Sequence, residues 1–173
     1  PSWSRRCSPA FVLFQVMRPR ARARFSSHLL VHESHGCSCL TFRLARESRF
    51  ELRDARLQVQ ALLTATSDGF DRSSEEERTE RLRGRQLTES ATLQLRSAFA
   101  SDLRVWQVWH QIDEASPLYR IRDSLKSDLK WVDVSLTAFD QVYMQEVRMH
   151  ANYTSSDLVE GARFDEMASL DFD

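Results

Sequence analysis

Between residues 55 and 63 the chain places Ala55, Leu57, Val59, Ala61 and Leu63 at every second position, with Arg56, Gln58 and Gln60 between them. Side chains two apart share one face of a strand, so this period predicts a β-strand half buried against a core. Two extended runs, over 25–32 and 37–44, precede it, and the Glu33-Ser34-His35-Gly36 stretch between them carries the glycine that a hairpin needs. Further strand candidates are Leu87 with Leu93 and Leu95, then 103–109, 131–139 and 142–149. Ser124 is placed to cap a short helical turn at Leu125. Residues 66–84 open on a Ser-Asp-Gly turn signal and continue as mixed charge without an apolar stripe, which predicts a mobile loop between strands. The expected architecture is an all-β sandwich of many short strands.

With 173 residues and 42 % hydrophobic content, the chain suits a single domain with its own core. A formal net charge of -1 conceals an uneven distribution. Residues 1–24 hold six arginines and no acid, whereas 155–173 hold six acids and one arginine. A basic amino end suits an anionic surface, and an acidic tail is ordinarily solvated. Three cysteines, and no cleavable signal with its small-residue site, point to a reducing compartment. Residues 11–17 are apolar apart from Gln15, far short of the roughly 20 needed to span a bilayer. Because the sequence opens at Pro1, that run is expected to be the end of a longer apolar segment.

His28, His32, His35, Cys37 and Cys39 crowd one short stretch and supply a zinc-like donor set. Spacing argues against a metal: Cys-x-Cys on a strand directs two thiols in parallel, and cysteine also packs as a small hydrophobe. Ser116, His110 and Asp113 have the composition of a catalytic triad, but three members within seven residues are not expected to reach the required geometry. No Gly-x-Ser-x-Gly elbow, P-loop or dinucleotide glycine pattern is present, so no enzyme and no cofactor is expected.

Trp106, His110, Ile112, Asp113, Glu114, Ser116, Pro117 and Leu118, in WQVWHQIDEASPLY, resemble the W-x-x-x-H-x-I-D-E-x-S-P-L signature of inward-rectifier potassium channels. In order along the chain, RPRARARFS is similar to the linker leaving that family's pore-lining helix and FRLARESRFELRDA to the strands after it. VSLTAFDQ is similar to its S-L-T-G-x-D-E, and YTSSDLVEGARFDEM to its Y-x-x-x-D-I-x-W-G-x-R-F ending. The resemblance covers residues 11–167, and the Asp-Gln after SLTAF looks closer to bacterial-type members.

The resemblance implies an immunoglobulin-like β-sandwich over 25–167. Before it would stand a helical remnant of the second transmembrane helix and a basic linker over 1–24, and after it an acidic tail over 168–173. It implies a cytoplasmic, pore-extending domain at the membrane's inner face, assembled from four identical subunits around a path for potassium. Arg18, Arg20, Arg22 and Arg24 lie where members of the family bind anionic lipid headgroups, phosphoinositides among them, and each can add about 1 kcal/mol near such a surface. A basic flank that only sets membrane topology explains the same arginines. Asp54 matches an acidic residue of the cytoplasmic pore, where a ring of carboxylates concentrates potassium and binds magnesium or polyamines. Phe139, Tyr143 and Met144 fall at the loop of the pore apex, where large side chains can gate by constriction. His32 and His35 are candidates for pH sensing. No nucleic-acid partner is implied.

The chain departs from the family at Arg46, Ser48, Gln141, His150 and Glu160, and at Ala138, which replaces a pore-apex glycine. The selectivity-filter motif T-x-G-[YF]-G is absent from these residues. A freestanding β-sandwich that binds a protein or an anionic ligand is the competing expectation, and a zinc-dependent module a third.

Overall fold

A computed structural model describes residues 23–34, 36–47, 51–64 and 88–165. They form ten strands in chain order: β1 (Ala23–Phe25), β2 (Leu29–Ser34), β3 (Cys37–Arg46), β4 (Leu52–Thr64), β5 (Thr88–Thr92), β6 (Phe99–Asp102), β7 (Val105–Ile112), β8 (Leu129–Asp140), β9 (Gln145–Thr154) and β10 (Leu158–Glu160). A 3₁₀ segment (Tyr119–Ser124) runs into one short helix, α1 (Leu125–Asp128), the turn expected after Ser124. The Ser124 hydroxyl turns to the Asp128 carboxylate rather than capping a backbone N–H. The proposed helix over 11–17, the loop over 66–84 and the acidic tail lie outside the described residues.

Two five-stranded sheets enclose one core. In the first, β3 pairs along one edge with β1 and β2 and along the other with β7, while β10 lies parallel to β2. In the second, β4 pairs along one edge with β5 and β6 and along the other with β8, and β9 completes the sheet beyond β8. The facing surfaces bring Leu29, Leu40, Phe42 and Leu44 of the first sheet together with Leu57, Val59, Val134 and Leu136 of the second. Phe42 meets Tyr153 across the layers, ring centroids 6.3 Å apart, and the Tyr153 hydroxyl donates to the Ser26 carbonyl at 2.8 Å. A buried phenol is thereby satisfied while its ring fills the core.

Period two holds through β4 from Ala55 onward: the odd residues to Leu63 are buried and Arg56, Gln58 and Gln60 are exposed. It breaks between Leu52 and Ala55, both fully buried although three residues apart, because the pairing with β8 slips between Arg53 and Arg56. Such a bulge inserts an unpaired residue and bends the strand. Here Asp54 takes φ 51°, a left-handed conformation that aspartate tolerates better than most side chains.

Two turns also follow from local chemistry. The β2–β3 hairpin closes between Ser34 and Cys37, with Gly36 at φ 78°, as tight hairpin turns demand. The strand expected from residue 142 starts only at Gln145, because the Asp140 carboxylate accepts the N–H groups of Val142 (2.9 Å) and Tyr143 (3.3 Å) and folds the chain into a turn first.

Leu136 lies at the centre of the β4–β8 ladder with no exposed surface. Leu136→Ala is expected to cost about 2–5 kcal/mol through lost burial and the cavity left behind, whereas Gln60→Ala on the outer face should stay within about 0.5 kcal/mol. Urea unfolding of both variants checks this; equal midpoints would place residue 136 outside the core.

Candidate functional site

The sequence signature occupies β7 and the turn after it. Inward-facing positions of β7 carry Trp106, Val108, His110 and Ile112, and Trp106 packs half buried against the core. His110 is buried, and its Nδ1 lies 2.7 Å from the Gln94 carbonyl. A carbonyl only accepts, so Nδ1 carries the proton and Nε2 is left as an acceptor. Nε2 lies 2.8 Å from the Ser116 hydroxyl, which therefore donates to it while its oxygen accepts the Leu118 N–H at 3.1 Å. Asp113 shapes the same turn, its carboxylate accepting the Ala115 N–H at 3.1 Å and its carbonyl the Ser116 N–H at 2.9 Å. Glu114 is exposed and Pro117 half buried.

The expectation that these three residues would not form a triad stands, although two of them touch. His110 and Ser116 do meet, because the turn at 113–116 folds the serine back beneath the strand. The triad is still incomplete: the third position, at Nδ1, is filled by the Gln94 carbonyl rather than Asp113, and Ser116 is 7 % exposed. A buried hydroxyl that accepts from one backbone group and donates to an imidazole acts as a lock on the turn. Gln94 and Leu118 complete that lock through main-chain atoms, which side-chain identity does not reveal.

Asp54 is exposed at the bulge and lines a cavity of about 230 Å³ with Arg56, Thr137, Ala138, Phe139 and Glu146. Of the apex residues, Phe139 is half buried on β8 within this lining, whereas Tyr143 and Met144 stand in the following turn, Met144 with 73 % of its surface exposed. Ala138, which stands where the family has a pore-apex glycine, is buried in strand β8 without positive φ, and the left-handed residue of this region is Met144 (φ 51°). Glu146 was not singled out from sequence; alternation along its strand places it on the outward face, but only the pairing register sets it opposite Phe139.

Arg24 pairs with Glu47 at 2.6 Å, both side chains substantially exposed, so the pair adds little stability and leaves Arg24 available to another anion. Arg18, Arg20 and Arg22 lie outside the described residues, as does His35. His32 packs edge-on to Trp109, ring centroids 5.5 Å apart, with Nδ1 3.3 Å from the Thr41 hydroxyl, and Cys39, its cross-strand partner on β3, is buried. Among the described residues no three histidine, cysteine, aspartate or glutamate side chains are grouped to hold a metal, and no helix is long and apolar enough to cross a membrane.

No family model and no curated protein matches the chain.

Burial holds the protonation of His110 below its ordinary value of 6.5, outweighing the opposing pull of the Gln94 carbonyl and Asp113. His32 is lowered in the same direction, by burial first and by Arg163 second. Both groups bind protons more readily in the unfolded chain, so their contribution is complete above about pH 6.5 and is lost as the pH falls through and below it. Thermal unfolding from pH 7.5 to 5.0 should show a falling midpoint, with a shallower slope in His110→Gln; an unchanged slope would remove His110 as a contributor.

Proposed function

We propose that the chain is the cytoplasmic regulatory and pore-extending domain of an inward-rectifier potassium channel subunit, an immunoglobulin-like sandwich that works as one of four around a potassium path. What carries the reading is that the residues quoted for the resemblance form one working unit. His110, Asp113 and Ser116 lock the strand to the turn, Trp106 packs from the same strand against the core, and Leu118 closes the turn from the backbone and is itself fully buried. Residues drawn together by chance likeness would have no reason to share such a role.

On this reading Asp54 faces the cytoplasmic pore, and the bulge serves to turn its carboxylate outward. Glu146 adds a second carboxylate to the same cavity, but Arg56 lines it too and Arg148 lies 3.0 Å from Glu146. A fourfold ring of such faces is nearly neutral, so it would attract magnesium or polyamines weakly and rectify shallowly. Phe139, Tyr143 and Met144 would form the apex constriction. Arg18, Arg20, Arg22 and Arg24 would meet anionic lipid where the chain leaves the membrane, placing the domain at the cytoplasmic face.

The deciding experiment is to sequence the transcript upstream of Pro1. Two in-frame apolar spans flanking T-x-G-[YF]-G are expected; a reading frame starting near Pro1 without a pore would sink the channel reading in favour of a freestanding interaction module. In the intact channel, neutralising Arg18 and Arg20 together should reduce the response to anionic lipid, and an unaltered response would leave them as a topological flank only.

A further inference from the structure

The outer face of the second sheet carries donors in two adjacent rows. Register places Arg56, Thr137 and Arg148 side by side on β4, β8 and β9, and the next row holds Gln58, Ser135 and His150. Alternation turns all six away from the core, and they line a cavity of about 330 Å³, at the small end of ligand sites. No carboxylate contributes to that lining. Neighbouring strands lie about 4.8 Å apart, so the two arginines rise on either side of Thr137 from backbones about 10 Å apart. Their stems are long enough to bring both guanidinium groups over a single tetrahedral anion.

Other observations on this face point the same way. Arg56 makes no ion pair with any described residue, and the half-buried hydroxyls of Ser135 and Thr137 have no hydrogen-bond partner among them. Arg148 is engaged by Glu146 through Nε (3.1 Å) and Nη2 (3.0 Å), but both side chains are largely exposed, and an exposed pair of this kind yields readily to a better acceptor. Guanidinium forks bind phosphate with two parallel charge-assisted hydrogen bonds, and hydroxyls beneath them can donate to the remaining oxygens.

We propose that this face is a binding site for a phosphate group, clamped between Arg56 and Arg148 over the Thr137 and Ser135 hydroxyls, with His150 and Gln58 at the second row. The site stands on the sheet's register and does not rest on the channel reading. A soluble phosphorylated ligand and a phosphomonoester lipid headgroup offer the same chemistry, and the test separates them.

The full chain would be titrated calorimetrically with inorganic pyrophosphate at low ionic strength. Saturable binding is expected, weakened at least about tenfold in Arg56→Gln/Arg148→Gln. Glu146→Gln, which releases Arg148 without removing a donor, should tighten binding severalfold. Thermal unfolding of each variant confirms that the sheet is intact, and the gain in Glu146→Gln cannot arise from misfolding. A parallel arm sediments the chain with phosphatidylcholine vesicles with and without phosphatidic acid, reading only the difference between wild type and the double-arginine variant. Pyrophosphate binding with no such difference assigns a soluble ligand, and a difference that pyrophosphate abolishes assigns a lipid headgroup. Absence of saturable pyrophosphate binding, or equal affinity in the double-arginine variant, would overturn the proposal.

Discussion

The ladder between β4 and β8 is the constraint on which the rest of the molecule depends. Its register fixes which side chains of both strands enter the core and which face out, because a slip of one residue would exchange the two sets. Leu57, Val59, Leu136 and Val134 are thereby committed to the interior, and Arg56, Gln58, Ser135 and Thr137 to the outer surface. Core and candidate binding surface are opposite faces of the same pairing. The register shifts near both ends of the ladder, between Arg53 and Arg56 and between Leu62 and Leu63, and at the first of these a bulge at Asp54 re-aims a carboxylate.

Much of this was legible in the sequence because its strongest signal is also the structure's main organiser. The alternation from Ala55 predicted β4, and the glycine at 36 predicted the turn between β2 and β3. What escaped depended on atoms that the local pattern does not encode. The bulge was written as the three-residue gap between Leu52 and Ala55, but a broken period alone does not say which residue is extruded. Asp140 reads as one more polar residue at a strand end until its carboxylate is seen to hold two backbone N–H groups. His110 and Ser116 looked too close in sequence to meet usefully; the turn between them is short enough to bring them together and too tight to leave the serine accessible.

The candidate sites show the same division. Family likeness directed attention to Asp54 and the apex residues one at a time, whereas cross-strand register shows what stands beside each. Glu146, Arg56 and Arg148 became relevant only as neighbours of Asp54 and of one another. Charge on this face is balanced locally rather than summed into a single sign, so it is better suited to holding a particular group than to attracting ions of one sign from a distance.

The parallel pairing of β10 with β2 joins residues that are among the most distant in the described sequence, Leu158 with Leu29 and Glu160 with Val31. Gly161 and Arg163 extend the attachment by donating to the carbonyls of Val31 and Glu33. Such a pairing cannot form until the long chain segment between its partners has closed, and long-range contacts of this kind slow folding. During synthesis and folding, β2 therefore remains an open edge carrying Leu29, Leu30 and Val31 until nearly the whole domain has emerged. The last strand acts as a seal, and its arrival closes the period in which another chain can add to that edge.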